Sequence, residues 1–290
     1  MQAVWSFWSK PYFAKQGSTW LSQSHYLYSC TLSFECARRH FDETILYTDD
    51  AGAELLIDKL KLPFKKVFTS LNDIDHYDSS WWTVGKLYTY SMQRRPFIHI
   101  DNDVYLWKAL PKHFLKATII GQNPEYFEVG SSWYRPEKFD PIIASQRWLP
   151  DEIIWYRRQS SNQMAVCCGI LGGCDMAFIH RYAIQALKLI DYSLTEETYR
   201  SLYADNLLIE QYLLSAFINY HQHHRNGKAT KHESAYMFES AEAAFNPTIS
   251  VQAGFTHLIG GAKRNQALMK RLENRIYNDY TEYFERINNM

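Results

Sequence analysis

Two short β-branched runs that each close abruptly on carboxylates constrain this chain more than any other feature. Thr44–Thr48 (TILYT) runs into Asp49-Asp50, and Phe97–Ile100 (FIHI) runs into Asp101-Asn102-Asp103. Apolar runs of this length are too short for helices and suit buried strands. Around them the N-terminal third alternates. Ala3–Trp8 reads as a first strand. Trp20–Arg39 reads as a helix, with Arg38, Arg39 and His40 at the end where cations are favoured. Ala51–Leu60 is a helix stopped by Pro63, Lys66–Phe68 a short strand, and Val84–Arg94 a helix ended by Pro96. Such alternation predicts an α/β fold: a Rossmann-like, mostly parallel central sheet with flanking helices. Ligands of such sheets sit beyond the carboxyl ends of the strands, where both acidic clusters fall.

The remainder is less periodic. Gly121–Gln163 mixes prolines and charges with Tyr126, Trp133, Tyr134, Trp148, Trp155 and Tyr156. Val166–Leu171 (VCCGIL) returns to a buried strand, followed by Gly172-Gly173. Asp175 is placed to cap a helix reaching about Tyr192. A second helix is expected over Glu196–Phe217. A C-terminal helix is expected over Gln266–Ile287, where Leu268, Leu272, Ile276, Tyr280, Tyr283 and Ile287 lie near helical spacing. With no low-complexity linker and no internal repeat, the expectation is one domain. Residues 1–120 would form a nucleotide-binding half, 121–265 an acceptor and donor-sugar half, and 266–290 a C-terminal helix.

Charge narrows the function classes. Lys plus Arg and Asp plus Glu are 31 each, a formal net charge of zero, so the basic surplus of a general nucleic-acid binder is missing. Aromatic residues make up 16%. A ring-rich core explains most of that, although rings also stack on bases and sugar faces. The five cysteines, Cys30, Cys36, Cys167, Cys168 and Cys174, are odd in number and irregularly spaced, which argues against a secreted disulfide framework. The opening residues carry no basic leader region and no cleavage site, and no stretch reaches membrane-span length. The expected location is cytoplasmic, with a peripheral membrane contact left open.

The chemistry concentrates in two places. Asp101 and Asp103 follow a hydrophobic strand. If the chain stays extended there, both carboxylates leave the same side and can share a divalent cation. A polar strand end that caps the next turn is the alternative. Far downstream lies Thr256-His257-Leu258-Ile259-Gly260-Gly261-Ala262-Lys263. Imidazole suits Mn²⁺-like cations beside carboxylates. The glycine pair lets backbone approach a phosphate, and Lys263 can place positive charge on it.

These two motifs resemble those of GT-A glycosyltransferases. Asp101-Asn102-Asp103 looks like their DxD element. His257 to Lys263 is similar to the HxxGxxK element of the glycogenin and galactosyltransferase-like group, family 8. The resemblance implies a GT-A domain that moves a sugar from a nucleoside-diphosphate donor, a UDP-sugar, to a glycan or other hydroxyl acceptor, with retention. It implies Asp101, Asp103 and His257 as ligands of Mn²⁺ or Mg²⁺. It implies Gly260, Gly261 and Lys263 around the diphosphate, with Asn102 in the donor site. This chain departs from the group after Lys263, where Arg264-Asn265 replaces Pro-Trp, and in having Asn102 where a small residue is usual.

Further roles follow from the same resemblance. Ser6, Phe7 and Trp8 would line the base, and Asp49 or Asp50 would contact uracil or ribose. Lys86 would approach the donor phosphates, against the alternative of a solvated lysine. Gly169, in Cys168-Gly169-Ile170, would shape the donor-sugar pocket, with Cys167 and Cys168 as small buried hydrophobes. Asp205, Glu210 and Gln211 in DNLLIEQYLL are the catalytic candidates, against an exposed helix face. His221-Gln222-His223-His224, running into Arg225-Asn226-Gly227-Lys228, reads as a solvated loop rather than a metal site. Two rival functions stand beside sugar transfer. One is a haloacid-dehalogenase-like Mg²⁺ phosphatase, with Asp101 as nucleophile and Asp103 as general acid. The other is a nucleotide-sugar-binding module without turnover.

Overall fold

The computed structural model describes residues 1–14, 19–224 and 234–290. Its strands, in chain order, are β1 (Gln2–Phe7), β2 (Thr44–Thr48), β3 (Lys66–Phe68), β4 (Phe97–Ile100), β5 (Val104–Leu106), β6 (Ile119–Glu128), β7 (Asn162–Gly173), β8 (Ser234–Tyr236) and β9 (Phe255–His257). The chain packs as two compact units. One comprises residues 1–85, 97–111 and 246–290, the other residues 86–96 and 112–245.

In the first unit β1 pairs in parallel with β2 on one side and β4 on the other, and β2 pairs in parallel with β3. The α/β reading of the N-terminal third therefore holds, strand by strand. Every residue of β1, β2 and β4 is buried, as a parallel sheet covered by helices requires. The chain runs outward from β1 through β2 to β3, then returns to β4 on the far side of β1. The connection reverses between β1 and β4, which is where open sheets of this kind leave a crevice at the strand ends.

The helix Gln23–Ala37 is capped by the Ser22 hydroxyl, which accepts from the His25 N–H. Every residue from Leu27 to Ala37 is buried, so this helix carries no solvent stripe. Phe34, Trp5 and Phe64 meet there edge-on or tilted, at centroid separations of 4.1–5.7 Å. Tyr28 stacks on Phe284 and donates to the Asn288 side chain. The expected single C-terminal helix is two, Gln266–Asp279 and Thr281–Asn288. Tyr280 breaks it at φ −145°.

In the second unit the poorly periodic middle contains β6, which pairs antiparallel with β7 and parallel with β8. Asp175 caps the helix Met176–Thr195 as expected, accepting from the Phe178 N–H. The expected helix over Glu196–Phe217 is interrupted. A 3₁₀ turn over Glu197–Leu202 ends at Ala204, whose φ is +56°. The chain then makes a wide π turn over Leu208–Tyr212 and continues as an α-helix over Leu213–His224. Helical spacing survives such a break, so periodicity alone could not reveal it. His221 to His224 are thus the last turn of a helix and not a loop; Arg225 to Lys228 lie outside the described residues.

Candidate metal centre

The site is built at the β1/β4 reversal of the first unit. β4 does not stay extended through the aspartates. The Val104 N–H closes back on the Asp101 carbonyl at 3.0 Å, so residues 101–104 form a turn. Two hydroxyls one helical turn apart on Gln23–Ala37 hold that turn by its carbonyls. Ser33 donates to the Asp101 carbonyl at 2.9 Å and Ser29 to the Asn102 carbonyl at 2.8 Å. With its proton so used, the Ser29 oxygen accepts from the Tyr105 hydroxyl, and the Ser33 oxygen accepts from the Trp5 indole.

After the turn the chain enters β5, which pairs antiparallel with β9 and sets Val104 opposite His257. The Leu258 N–H donates to the Asp103 carbonyl at 3.0 Å. This two-stranded ribbon joins the distant motifs, and its register alone sets His257 beside Asp103. Gly254 makes the entry to β9 possible. It adopts φ +65° as the left-handed end of the helix Pro247–Ala253, and a Cβ there would press on the Lys108 side chain.

The result is one compact donor set. Ligand atoms of Asp101, Asp103 and His257 all lie within 4.8 Å of one another, a spacing that suits one ion bound at about 2 Å from each. Asp103 Oδ1 is buried 3.3 Å from His257 Nε2 and closes no hydrogen bond. Asp103 Oδ2 lies 2.5 Å from Lys263 Nζ. Burial pushes the Asp103 carboxyl up, but the Lys263 ammonium and His257 outweigh it and hold the group well below the usual carboxylate range. Two hard carboxylates, an imidazole nitrogen and a buried oxygen left open between them fit a divalent cation.

Sequence reasoning missed His99. Its Nε2 lies 2.9 Å from the Ser6 hydroxyl and its Nδ1 3.5 Å from Asp101 Oδ1, with the ring buried. Its hydrogen bond is to the end of β1, and its other nitrogen faces the first aspartate. The i, i+2 spacing of His99 and Asp101 was the available signal. Ser6 is thus engaged by His99. The Asn102 amide donates to the Ser6 carbonyl at 3.0 Å, which braces the turn against β1. Trp8 is buried. Asp49 spends both oxygens locally, accepting from the Ser9 N–H and hydroxyl and from the Gly52 N–H. Asp50 is exposed. Gly260, at φ +53°, and Gly261 have open space where a Cβ would stand. Lys263 Nζ lies 5.4 Å from the Trp20 ring centre.

The remaining candidates belong to the second unit. Lys86 is not solvated: its ammonium is 2.7 Å from Glu210 Oε1 and donates to the Cys168 carbonyl at 3.1 Å. Glu210 is fully buried rather than on an exposed face, and its other oxygen makes no hydrogen bond. Tyr90 reaches Glu210 Oε1 at 3.4 Å, and Tyr182 donates to the Glu210 carbonyl. The Tyr134 hydroxyl lies between the Gln211 and Glu125 side-chain oxygens. Asp205 pairs with Lys138 at 2.6 Å and Arg135 at 3.3 Å. Gly169 is buried inside β7, and Cys167 and Cys168 are buried beside it. Among the described residues no helix is long and apolar enough to cross a membrane.

Residues 1–290 match the model of a family described as "Family of unknown function (DUF6734)", and the chain belongs to that family. No curated protein matches the sequence. Solved structures similar to this one include the galactosyltransferase LgtC in complex with donor and acceptor sugar analogs, at 12% identity and a TM-score of 0.44. That match covers 93% of this chain and 96% of LgtC. The structure of an active-site mutant of LgtC is similar at 10% identity and a TM-score of 0.42, covering 98% of this chain and 100% of the other.

Proposed function

We propose that this family member is a metal-dependent glycosyltransferase of the GT-A type. It would move a sugar from a nucleoside-diphosphate sugar, a UDP-sugar, to a hydroxyl of a glycan or other acceptor. The observation that carries the reading is the meeting of Asp101, Asp103 and His257 within one ion's reach, with Lys263 against the same carboxylate. A strand-end aspartate pair is common by itself. Its joining to a downstream His-Gly-Lys segment through a dedicated β-ribbon is not explained by turn capping.

In this reading Asp101, Asp103 and His257 hold Mn²⁺ or Mg²⁺. When bound, such an ion supplies Lewis-acid charge against the leaving diphosphate. The chain's own residues do the rest. The Ser29 and Ser33 hydroxyls fix the aspartate turn before any ligand arrives. Lys263 adds positive charge, and the open backbone at Gly260 and Gly261 admits a phosphate. Lys86 and the catalytic candidates sit in the second unit. Those candidates remain Asp205, Glu210 and Gln211. Retention is the proposed stereochemistry, on the resemblance of the motifs.

The phosphatase alternative asks Asp103 to be a general acid. A carboxyl held ionised by Lys263 and His257 is a poor proton donor near neutral pH. Titrating the folded protein with UDP in the presence and absence of Mn²⁺ tests the proposal. Metal-dependent nucleotide binding, lost in D103N, supports it. No such binding sinks it. Binding with no transfer from any of a panel of UDP-sugars would instead point to a module without turnover.

A further inference from the structure

Lys263 does not reach into open space to await a phosphate. Its ammonium lies 2.5 Å from Asp103 Oδ2, with both side chains largely covered. The main chain around it is pinned on both sides. The Lys263 carbonyl accepts from the Leu21 N–H at 3.0 Å, and Asn265 caps the helix Gln266–Asp279 by accepting from the Leu268 N–H. The side chain is therefore the part that can move. A dication on Asp103 and the ammonium on Asp103 are like charges at one carboxylate, and they repel strongly at such range.

Resting on the glycosyltransferase reading, we infer that Lys263 is a resident placeholder cation, which a divalent ion displaces from Asp103 so that the ammonium becomes available to the donor diphosphate. The charge count supports this order. The two carboxylates and the one ammonium sum to one net negative charge, which repels a diphosphate. A divalent ion turns that to one net positive charge and at the same time releases the lysine. Metal and nucleotide would thus bind with positive coupling through one side chain, and each must raise the other's affinity by the same factor.

The test uses the full chain and two probes, Mn²⁺ alone and UDP. Mn²⁺ binding without nucleotide is read by electron paramagnetic resonance for the wild type, K263M and K263R. The inference expects K263M to bind Mn²⁺ alone about tenfold more tightly than wild type, within the range typical of coupled sites. It expects the enhancement of UDP binding by Mn²⁺ to shrink by a similar factor. K263R, which keeps the charge, should resemble wild type. Equal or weaker Mn²⁺ binding by K263M overturns the placeholder while leaving the metal site standing. No Mn²⁺ binding by any folded variant overturns both readings. Should K263M fold poorly, labelling of the wild type with an amine-reactive reagent, read by peptide mass spectrometry, serves instead. Lys263 modification should rise on adding Mn²⁺ and fall again on adding UDP with it, and labelling indifferent to Mn²⁺ sinks the inference.

Discussion

Each unit buries a lysine against a carboxylate, and the two pairs are built for different ends. Lys263–Asp103 is 2.5 Å long and Lys86–Glu210 is 2.7 Å long, so length does not distinguish them. Their surroundings do. Asp103 has a second carboxylate and an imidazole nitrogen within 4.8 Å, and its side chain and that of Lys263 keep 11% and 18% of their surface exposed. Glu210 has no exposed surface, and its neighbours are the Tyr90 hydroxyl, the Lys86 ammonium and, through Lys86, the Cys168 carbonyl. The first pair has excess negative charge and an edge through which an ion can enter. The second is balanced and sealed. A buried pair is weak evidence for stability by itself, and the acids around it tell whether a cation is wanted.

The sharpest test of that contrast is metal affinity. D103N should lower Mn²⁺ affinity about hundredfold or more, since even outer-layer partners of a metal are worth about 10–100-fold. E210Q should leave it within about twofold of wild type by the same titration. A comparable loss in E210Q would erase the distinction between the pairs. Mn²⁺ at about a hundred times its Kd should stabilise the wild type by about 2.7 kcal/mol in urea unfolding. D103N should lose that gain.

Stability should show the reverse ranking. K86M leaves the Glu210 charge buried without its partner, and a loss of about 3 kcal/mol in urea unfolding is expected. The double variant K86M/E210L removes both charges and should recover most of it. If K86M costs less than about 1 kcal/mol, the sealed pair is misread.

How much of this was visible in the sequence divides along the same line. Strands β1 to β4 and both motifs could be read from residue order because a parallel sheet demands unbroken apolar runs, as in TILYT and FIHI. The joining of Asp103 to His257 was legible only through the motif resemblance, since β5 and β9 are three residues each, too short for any period. The turn at residues 101–104 was invisible because Asp101-Asn102-Asp103 suits an extended end as well as a turn. In the second unit the break at Ala204 and the wide turn carrying Glu210 left helical spacing intact. Lys86 looked the same as a surface lysine until the Cys168 carbonyl and Glu210 closed over it. Burial of a charge depends on partners distant in sequence, and no local pattern encodes them.

Acid should separate the pairs at smaller scale. Against the upward push of burial, Lys263 and His257 hold the folded Asp103 carboxyl below its unfolded value of about 3.9. A group depressed in this way stabilises the fold fully above that unfolded value. Its contribution fades as pH falls from about 4 toward the folded value. Metal-free wild type should therefore lose stability steeply below about pH 4, and D103N should show a shallower acid limb in urea unfolding followed by circular dichroism. Parallel acid limbs in the two proteins would mean that Asp103 is not held ionised by its neighbours.

The smallest effect concerns the helix that holds the aspartate turn. S29A removes one hydrogen bond to the Asn102 carbonyl and deprives the Tyr105 hydroxyl of its acceptor. The backbone carbonyl is partly buried, so a cost of about 1 kcal/mol is expected. S33A does the same to the Asp101 carbonyl and to the Trp5 indole. Because both hydroxyls act on the turn and not on the ligand atoms, each variant should weaken Mn²⁺ binding less than D103N does, and the two together should exceed the sum of the singles if the turn moves as one piece. Strict additivity in metal affinity would mean that the turn keeps its shape without the helix, and that β5 and β9 alone preorganise the centre.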